Sequence, residues 1–154
     1  MHGNDTIWRA TLDLNKILLY ADGSGNMHQI PQRKYFALVD GIIGGEGNGP
    51  MEPDPKHSGI LISGTNPVYI DTVAATLMGF DYKKIPTVRQ AYQSKGYPLA
   101  DLSPANIRIR SNIPAYEKSI DSFSYRDTLQ FKPHYGWVNH IGLIDSAPLS
   151  EERP

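Results

Sequence analysis

The chain has 154 residues with 15 basic and 16 acidic side chains, a formal net charge of −1 and no cysteine. This length suits one domain with a core of its own. The lack of cysteine excludes disulfides, thiolate nucleophiles, cysteine-ligated zinc and cysteine-held iron–sulfur clusters. The near-neutral charge offers no basic surface for nucleic acid or an anionic membrane, and neither a membrane-spanning run nor a leader peptide is recognisable. We therefore expect a cytoplasmic protein with no nucleic-acid or membrane partner.

An amphipathic helix is predicted over residues 5–21, because apolar side chains recur there at spacings of three and four residues. A side chain from residues 4–6 is expected to cap its first turn. The glycine-containing stretch 22–25 is expected to end it.

Two apolar runs follow, KYFALVDGII over 34–43 and GILIS over 59–63. Both predict strands that are buried on both faces. The intervening stretch GGEGNGPMEPDPKHS is rich in glycine and proline, which predicts a long loop over 44–57. Such loops are uncommon inside compact domains and often carry function, although a mobile surface connection is the alternative.

The clearest element is a helix that begins at Pro67. Asn66 is a natural N-cap, Pro67 suits the first helical turn and Gly79 suits the C-terminal cap. The helix is apolar on most of its surface, which predicts that it packs against a sheet. A strand, a short turn and a buried helix are the parts of an α/β layer.

The rest of the chain is less regular. We predict a short helix over 87–95 and a half-exposed edge strand over 105–110. The C-terminal third is expected to hold a helix or strand over 122–131, an ordered aromatic loop over 132–142 and a flexible tail over 145–154.

These elements predict a single α/β domain over residues 1–144, with a small layered sheet and flanking helices. Three strands are few for such a sheet, since average sheets hold about five or six. Either oligomerisation completes the sheet, or further strands are hidden. The candidate segments are 99–102, the region of Ser122 and 137–144.

Four segments carry a family resemblance: NDTIWRATLDLNKILLYAD (4–22), YFALVDGIIGGEGNGP (35–50), GTNPVYIDTVAATLMGFD (64–81) and FKPHYGWVNHIG (131–142). In this order and spacing, over roughly 140 residues, they resemble the C-terminal part of proteins in domain-of-unknown-function family 362. The resemblance implies an α/β domain. Some members of the family carry ferredoxin-like cysteine clusters, and this sequence has no cysteine with which to hold one.

Asp40 interrupts the first apolar run. A buried carboxylate needs hydrogen bonds, a cation or a place at the open end of a strand. Ligands in open α/β sheets bind beyond the carboxyl ends of strands. We therefore expect Asp40 at that end, beside the 44–57 loop.

Glu46 is surrounded by glycines, which allow close approach of the backbone to a ligand and a nest of amides for an anion. The alternative is a glycine-rich turn in which Glu46 caps an amide. Neither a dinucleotide fingerprint nor a P-loop spacing is present. The predicted ligand-binding residues are Gly45, Gly47, Asn48, Gly49 and Asn66.

Asp71 lies in the second turn of the helix that begins at Pro67. It either interacts with the helix dipole or joins Asp40 and Glu46 at a site for magnesium, manganese or calcium. His57 is the expected proton carrier, so the catalytic candidates are Asp40, Glu46 and His57. The first functional hypothesis is therefore an enzyme or binding protein for an oxygen-rich or anionic small molecule.

The second hypothesis is a noncatalytic assembly module. In this interpretation the 44–57 loop and the aromatic C-terminal region form a subunit interface, as the shortage of strands indicates. Asp40 and Asp71 would then be capped or ion-paired. The candidate cations are Lys56, Arg9 and Arg89.

Overall fold

A computed structural model describes residues 6–143. These residues contain the helices α1 (Ile7–Tyr20), α2 (Pro67–Met78) and α3 (Pro86–Ala91) and the strands β1 (Ala37–Asn48) and β2 (Glu52–Gly64). Short 3₁₀ turns lie at Tyr82–Lys84, Pro104–Asn106, Pro114–Tyr116, Ile120–Ser122, Tyr125–Asp127 and Tyr135–Trp137. Helices and a two-stranded antiparallel sheet form the small α/β fold that the sequence predicts. The predicted tail over 145–154 lies outside the described residues.

Helix α2 has the predicted start and stop. The Asn66 side-chain oxygen accepts hydrogen bonds from the N–H groups of Val68 at 2.9 Å and Tyr69 at 3.3 Å. Pro67 occupies the first turn, where its missing N–H costs nothing. Gly79 ends the helix with φ 92°, a left-handed conformation that suits glycine.

Helix α1 begins at Ile7, and Thr6 makes no side-chain capping bond. It ends at Tyr20, just before the predicted turn. The Asp22 carboxylate stabilises this turn by accepting hydrogen bonds from the N–H groups of Ser24 at 2.8 Å and Asn26 at 2.9 Å.

The predicted 44–57 loop is wrong, because these residues continue both strands. Strands β1 and β2 pair from Ala37↔Gly64 to Asn48↔Glu52, and only residues 49–51 form the turn. Prolines are tolerated in β2 because it is an edge strand in this sheet, where a missing N–H group breaks no pairing with a further strand. The glycines make room for them: a Cβ on Gly45 would lie 2.9 Å from Cβ of Pro53.

The two strands are buried on one face only, so the predicted burial of both faces is wrong. The inner face places Ile60 and Ile62 against the core beside α2, whereas the outer face is exposed. In an antiparallel pair, the carboxyl ends of the two strands lie at opposite ends of the sheet. The hairpin therefore does not form the edge at which Asp40 was predicted to lie. Asp40 lies within β1, opposite Leu61.

Three other predictions are corrected. Helix α3 ends at Ala91 rather than at residue 95. The predicted edge strand over 105–110 is a 3₁₀ turn followed by extended backbone that pairs with no strand among residues 6–143. Within the same described range, the structure has no strand in the candidate segments 99–102, 122–131 and 137–143.

Helix α2 contributes to both apolar clusters of the core. Its Val73, Ala75 and Leu77 pack with residues from the second half of the chain, and its Val68 packs with α1. The fully buried Thr72 hydroxyl is satisfied by the Val68 carbonyl and the Tyr92 hydroxyl, each at 2.7 Å. Helix α2 therefore lies at the centre of the fold and packs against both the hairpin and α1.

Candidate functional site

Glu46 is buried on the inner face of the hairpin. Its Oε2 accepts a hydrogen bond from the Lys132 backbone N–H at 3.0 Å and lies 3.5 Å from Lys56 Nζ. Its Oε1 lies 3.8 Å from Lys132 Nζ, and the neighbouring Gly47 N–H donates to the Lys132 carbonyl at 3.0 Å. The carboxylate is thus satisfied by groups of its own chain and joins β1 to the segment around Lys132.

This 129–132 segment connects the hairpin to α2. The N–H groups of Leu129 and Phe131 donate to carbonyls of the last two residues of α2, each at 2.8 Å. The Phe131 ring lies against β1 at Gly44, where a Cβ would come within 2.8 Å of it. Lys56 Nζ lies 5.6 Å from the centre of the same ring. The Glu46 region is therefore a structural junction that combines ionic, aromatic and backbone contacts.

Asp40 lies on the opposite face of the hairpin from Glu46. The ladder is irregular between Gly41 and Ile43, and both Ile42 and Ile43 are exposed there. Side chains of a strand alternate between faces, so the bulge leaves Asp40 outward and Glu46 inward. The Asp40 carboxylate accepts a hydrogen bond from the Ile42 N–H at 3.1 Å, a local contact that bridges the bulge.

The other two candidates lie on different elements. His57 is exposed on β2, opposite Ile43. Asp71 lies on the solvent side of α2, but protein atoms around its carboxyl displace water, and this burial raises the pKa of Asp71. Within residues 6–143, no three His, Cys, Asp or Glu side chains lie in an arrangement that could hold a metal ion. The structure therefore does not bring Asp40, Glu46 and Asp71 together.

The predicted ligand-binding residues have structural partners. Gly45, Gly47 and Asn48 belong to the β1–β2 ladder, and Gly49 belongs to its turn. Asn66 caps α2 and also donates from its amide nitrogen to the Leu99 carbonyl at 2.9 Å. The candidate cations have other contacts as well: Lys56 contacts Glu46, Arg89 donates to the Lys83 carbonyl at 3.4 Å, and Arg9 lies 5.0 Å from the Trp8 ring centre.

The feature that the sequence reasoning missed is the outer face of the hairpin. It carries large apolar side chains that are more than half exposed, with a further one at the turn. They are Phe36, Leu38, Ile42, Ile43, Leu61 and, at the turn, Met51. The signal in the sequence was the continuous apolar run itself, which supplies apolar side chains to both faces of β1.

Comparison with known proteins finds a family match over the part of the chain that contains the hairpin. Residues 1–76 match the family described as domain of unknown function (DUF362). The predicted resemblance is confirmed over these residues. The DUF362 match includes α1, the hairpin and all but the last two residues of α2. It does not reach the 131–142 segment of the resemblance.

A curated relative supports a match over a shorter stretch. The thylakoid-associated protein sll1697 of Synechocystis sp. is 36% identical over 53 residues, which is 34% of this chain and 16% of that protein. The matched stretch therefore spans a small part of the relative's length. No solved structure matches the chain. Among residues 6–143, no helix is long and apolar enough to cross a membrane.

Proposed function

We propose that this chain is a noncatalytic assembly module whose copies associate through the outer face of the β1–β2 hairpin. The observation that carries the proposal is the exposed apolar surface of that face, where Leu38, Ile43 and Leu61 are 61%, 59% and 60% exposed. Monomeric proteins rarely expose contiguous apolar patches larger than a few hundred Å², and the larger patches usually mark interaction sites. The apolar run that predicts burial on both faces fits a strand whose second face is covered after assembly.

The exposed apolar side chains of this face can contribute to association. Covering a side chain that is about 60% exposed yields about 1–2 kcal/mol, since full burial yields about 1.5–3 kcal/mol. The six side chains of the outer face and turn, taken from two copies, would contribute on the order of 10–20 kcal/mol. This gain opposes the roughly 4–15 kcal/mol cost of lost translational and rotational freedom, to which side-chain ordering at the interface is added.

A second copy suits this face because the face carries apolar side chains together with a carboxylate and an imidazole. In a two-fold dimer the same patch meets itself, so each contact between two different residues occurs twice. Asp40 and His57 both lie at the outer face, which allows the carboxylate of one copy to approach the imidazole of the other.

The proposed location of this module is the cytoplasm. The relative from Synechocystis is named as thylakoid-associated, so a lipid surface is the competing occupant of the apolar face. Side chains at such a face would then insert into the headgroup region instead of meeting a second copy.

Analytical ultracentrifugation tests the proposal. We expect the wild-type chain to form dimers at about 100 µM, a concentration that detects even a modest affinity. Ile43→Glu places a charge in the centre of the face and should give monomers. Leu14→Glu, at a residue of α1 that is 66% exposed, is the matched control and should leave the dimer intact.

Two outcomes overturn the proposal. One is a wild-type chain that remains monomeric at this concentration. The other is monomeric chain that sediments with anionic lipid vesicles and loses this binding in Ile43→Glu, because the face would then serve a membrane. Circular dichroism of each variant establishes that a change of assembly is not a loss of folding.

A further inference from the structure

A groove separates β2 from the second half of the chain. One wall is the edge of β2 over residues 59–64, and the other is the extended segment 107–111. Apolar side chains of α2 lie at its floor, namely Ile70, Val73 and Leu77. The groove has a volume of about 1460 Å³, which exceeds the usual ~300–1,000 Å³ of small-molecule pockets. Its size and open shape suit a length of polypeptide better than a small ligand.

Both walls present unpaired backbone. Strand β2 pairs with β1 along one edge, and no other strand among residues 6–143 pairs with it. In the opposite wall, Ile107 N–H bonds to the Pro104 carbonyl within its own turn. The backbone groups of Arg108, Ile109 and Arg110 have no hydrogen-bond partner within the described part of the chain. Exposed strand edges of this kind are templates for pairing with another strand.

We propose that this groove binds one extended segment of a partner protein, which enters as a strand between β2 and residues 107–111. Its backbone would pair with both walls, and alternate side chains would cover the α2 floor. Addition of a strand to an open edge is a recurring mode of peptide recognition, in which the backbone supplies affinity and the side chains supply specificity. Each wall is five or six residues long, which is the length of an ordinary strand.

The charged residues that line the groove are Arg108, Arg110, Glu117 and Lys118, three basic and one acidic, so they favour an acidic segment. Ile107 and Ile109 pack against the core, while Arg108 and Arg110 are exposed and line the groove. Arg108 makes no ion pair with any residue in the range 6–143, and Arg110 has only the 4.0 Å approach of Glu117. A matching strand therefore alternates apolar side chains, which face α2, with acidic side chains, which face the two arginines.

Strand β1 of a second copy does not fit this groove. It is already paired with its own β2 along one edge, so it can offer backbone groups to one wall only. The inserted segment needs two free edges and is therefore a single strand. The groove and the outer face of the hairpin adjoin at Leu61, but they take different occupants.

A labelled eight-residue peptide that alternates valine and glutamate is the probe, and the control peptide replaces each glutamate with lysine. Fluorescence anisotropy should show that the glutamate peptide binds at least tenfold more tightly than the lysine peptide. The double variant Arg108→Glu, Arg110→Glu should reverse this preference, a result that a merely damaged protein would not give. Ile43→Glu should leave peptide binding unchanged, which separates this proposal from assembly through the hairpin.

Hydrogen exchange locates the peptide. We expect new protection of the amides of residues 108–110 and of the free edge of β2, and an N-methylated peptide should lose binding because it cannot pair with both walls. Equal binding of the two peptides, protection elsewhere, dissociation of a dimer by the peptide, or no binding at about 1 mM would each overturn the proposal.

Discussion

Glu46 illustrates how a charge in a glycine-rich stretch serves the fold. The sequence singles it out because it is the only charged residue among its glycine neighbours, and one predicted role was to cap an amide. It does accept a hydrogen bond from an amide, but the donor belongs to Lys132, 86 residues along the chain. No local pattern connects positions this far apart, so the partner was not predictable from the sequence.

Replacement of Glu46 should destabilise the junction in a graded way. Glu46→Ala leaves the Lys132 N–H unpaired in a partly buried position and should lower the free energy of unfolding by about 1–3 kcal/mol. Glu46→Gln keeps an acceptor for the Lys132 N–H and should cost less than Glu46→Ala, about 1 kcal/mol, because it weakens the ion pairs with Lys56 at 3.5 Å and Lys132 at 3.8 Å. Urea unfolding measures both, with Glu52→Gln on the exposed start of β2 as the control. A Glu46→Ala variant as stable as this control would contradict the structural role.

The contacts of Asp127 predict that the folded protein becomes less stable at acidic pH. It accepts hydrogen bonds from the Ser124 N–H at 2.9 Å and hydroxyl at 2.8 Å and pairs with Lys118 at 2.9 Å. The Lys118 ammonium, followed by the Ser124 donors, lowers the pKa of Asp127 to about 2. Because the folded pKa lies below the unfolded value of about 3.9, this stabilisation is present above pH 4 and is lost as the pH falls towards 2.

The comparison with Asp127→Asn isolates this contribution. The variant should be less stable than the wild type at pH 6, and the difference should shrink as the pH approaches 2. Chemical unfolding at several pH values measures it. A difference that stays constant from pH 6 to pH 2 would show that ionisation of Asp127 does not contribute to stability.

At the scale of elements, prediction succeeded where the signals were local. Asn66, Pro67 and Gly79 each carry a backbone preference that operates within one turn, and α2 has the predicted start and stop. The prediction of a loop at the hairpin was wrong because the residues that stabilise each strand lie on the opposite strand. Pro53 and Pro55 are unfavourable for a strand when considered alone. They pair with Gly47 and Gly45 in an edge strand, where the missing proline N–H groups are not required for pairing with a third strand.

Gly44 tests whether the hairpin depends on the 129–132 segment. A Cβ at this position would lie 2.8 Å from the Phe131 ring, so Gly44→Ala should displace the ring and cost about 1–3 kcal/mol, as overpacking usually does. Gly23→Ala is the control, because no atom lies within 4 Å of a Cβ there. Thermal unfolding compares the two. Equal stability of both variants would mean that the ring moves aside freely and does not fix the hairpin.

At the scale of the molecule, the outer face of the hairpin and the groove beside β2 are both left open among residues 6–143. The sequence indicated a shortage of strands, and with it the option of completion by another chain. It did not indicate where the openings lie, because the outer hairpin face and the groove depend on how distant segments are arranged around α2. The predicted carboxylate site failed to converge for the same reason: Asp40, Glu46 and Asp71 occupy three different faces.

Divalent cations should therefore leave the stability of the whole domain unchanged. A ligand present at 100 times its dissociation constant would stabilise the fold by about 2.7 kcal/mol, which corresponds to a shift of several degrees in Tm for a domain of this size. We expect shifts below about 1 °C with magnesium, manganese or calcium at millimolar concentration. Thermal melts of the wild type beside Asp40→Asn and Asp71→Asn check this. A large shift that both variants abolish would contradict the separation of these carboxylates and restore the cation site.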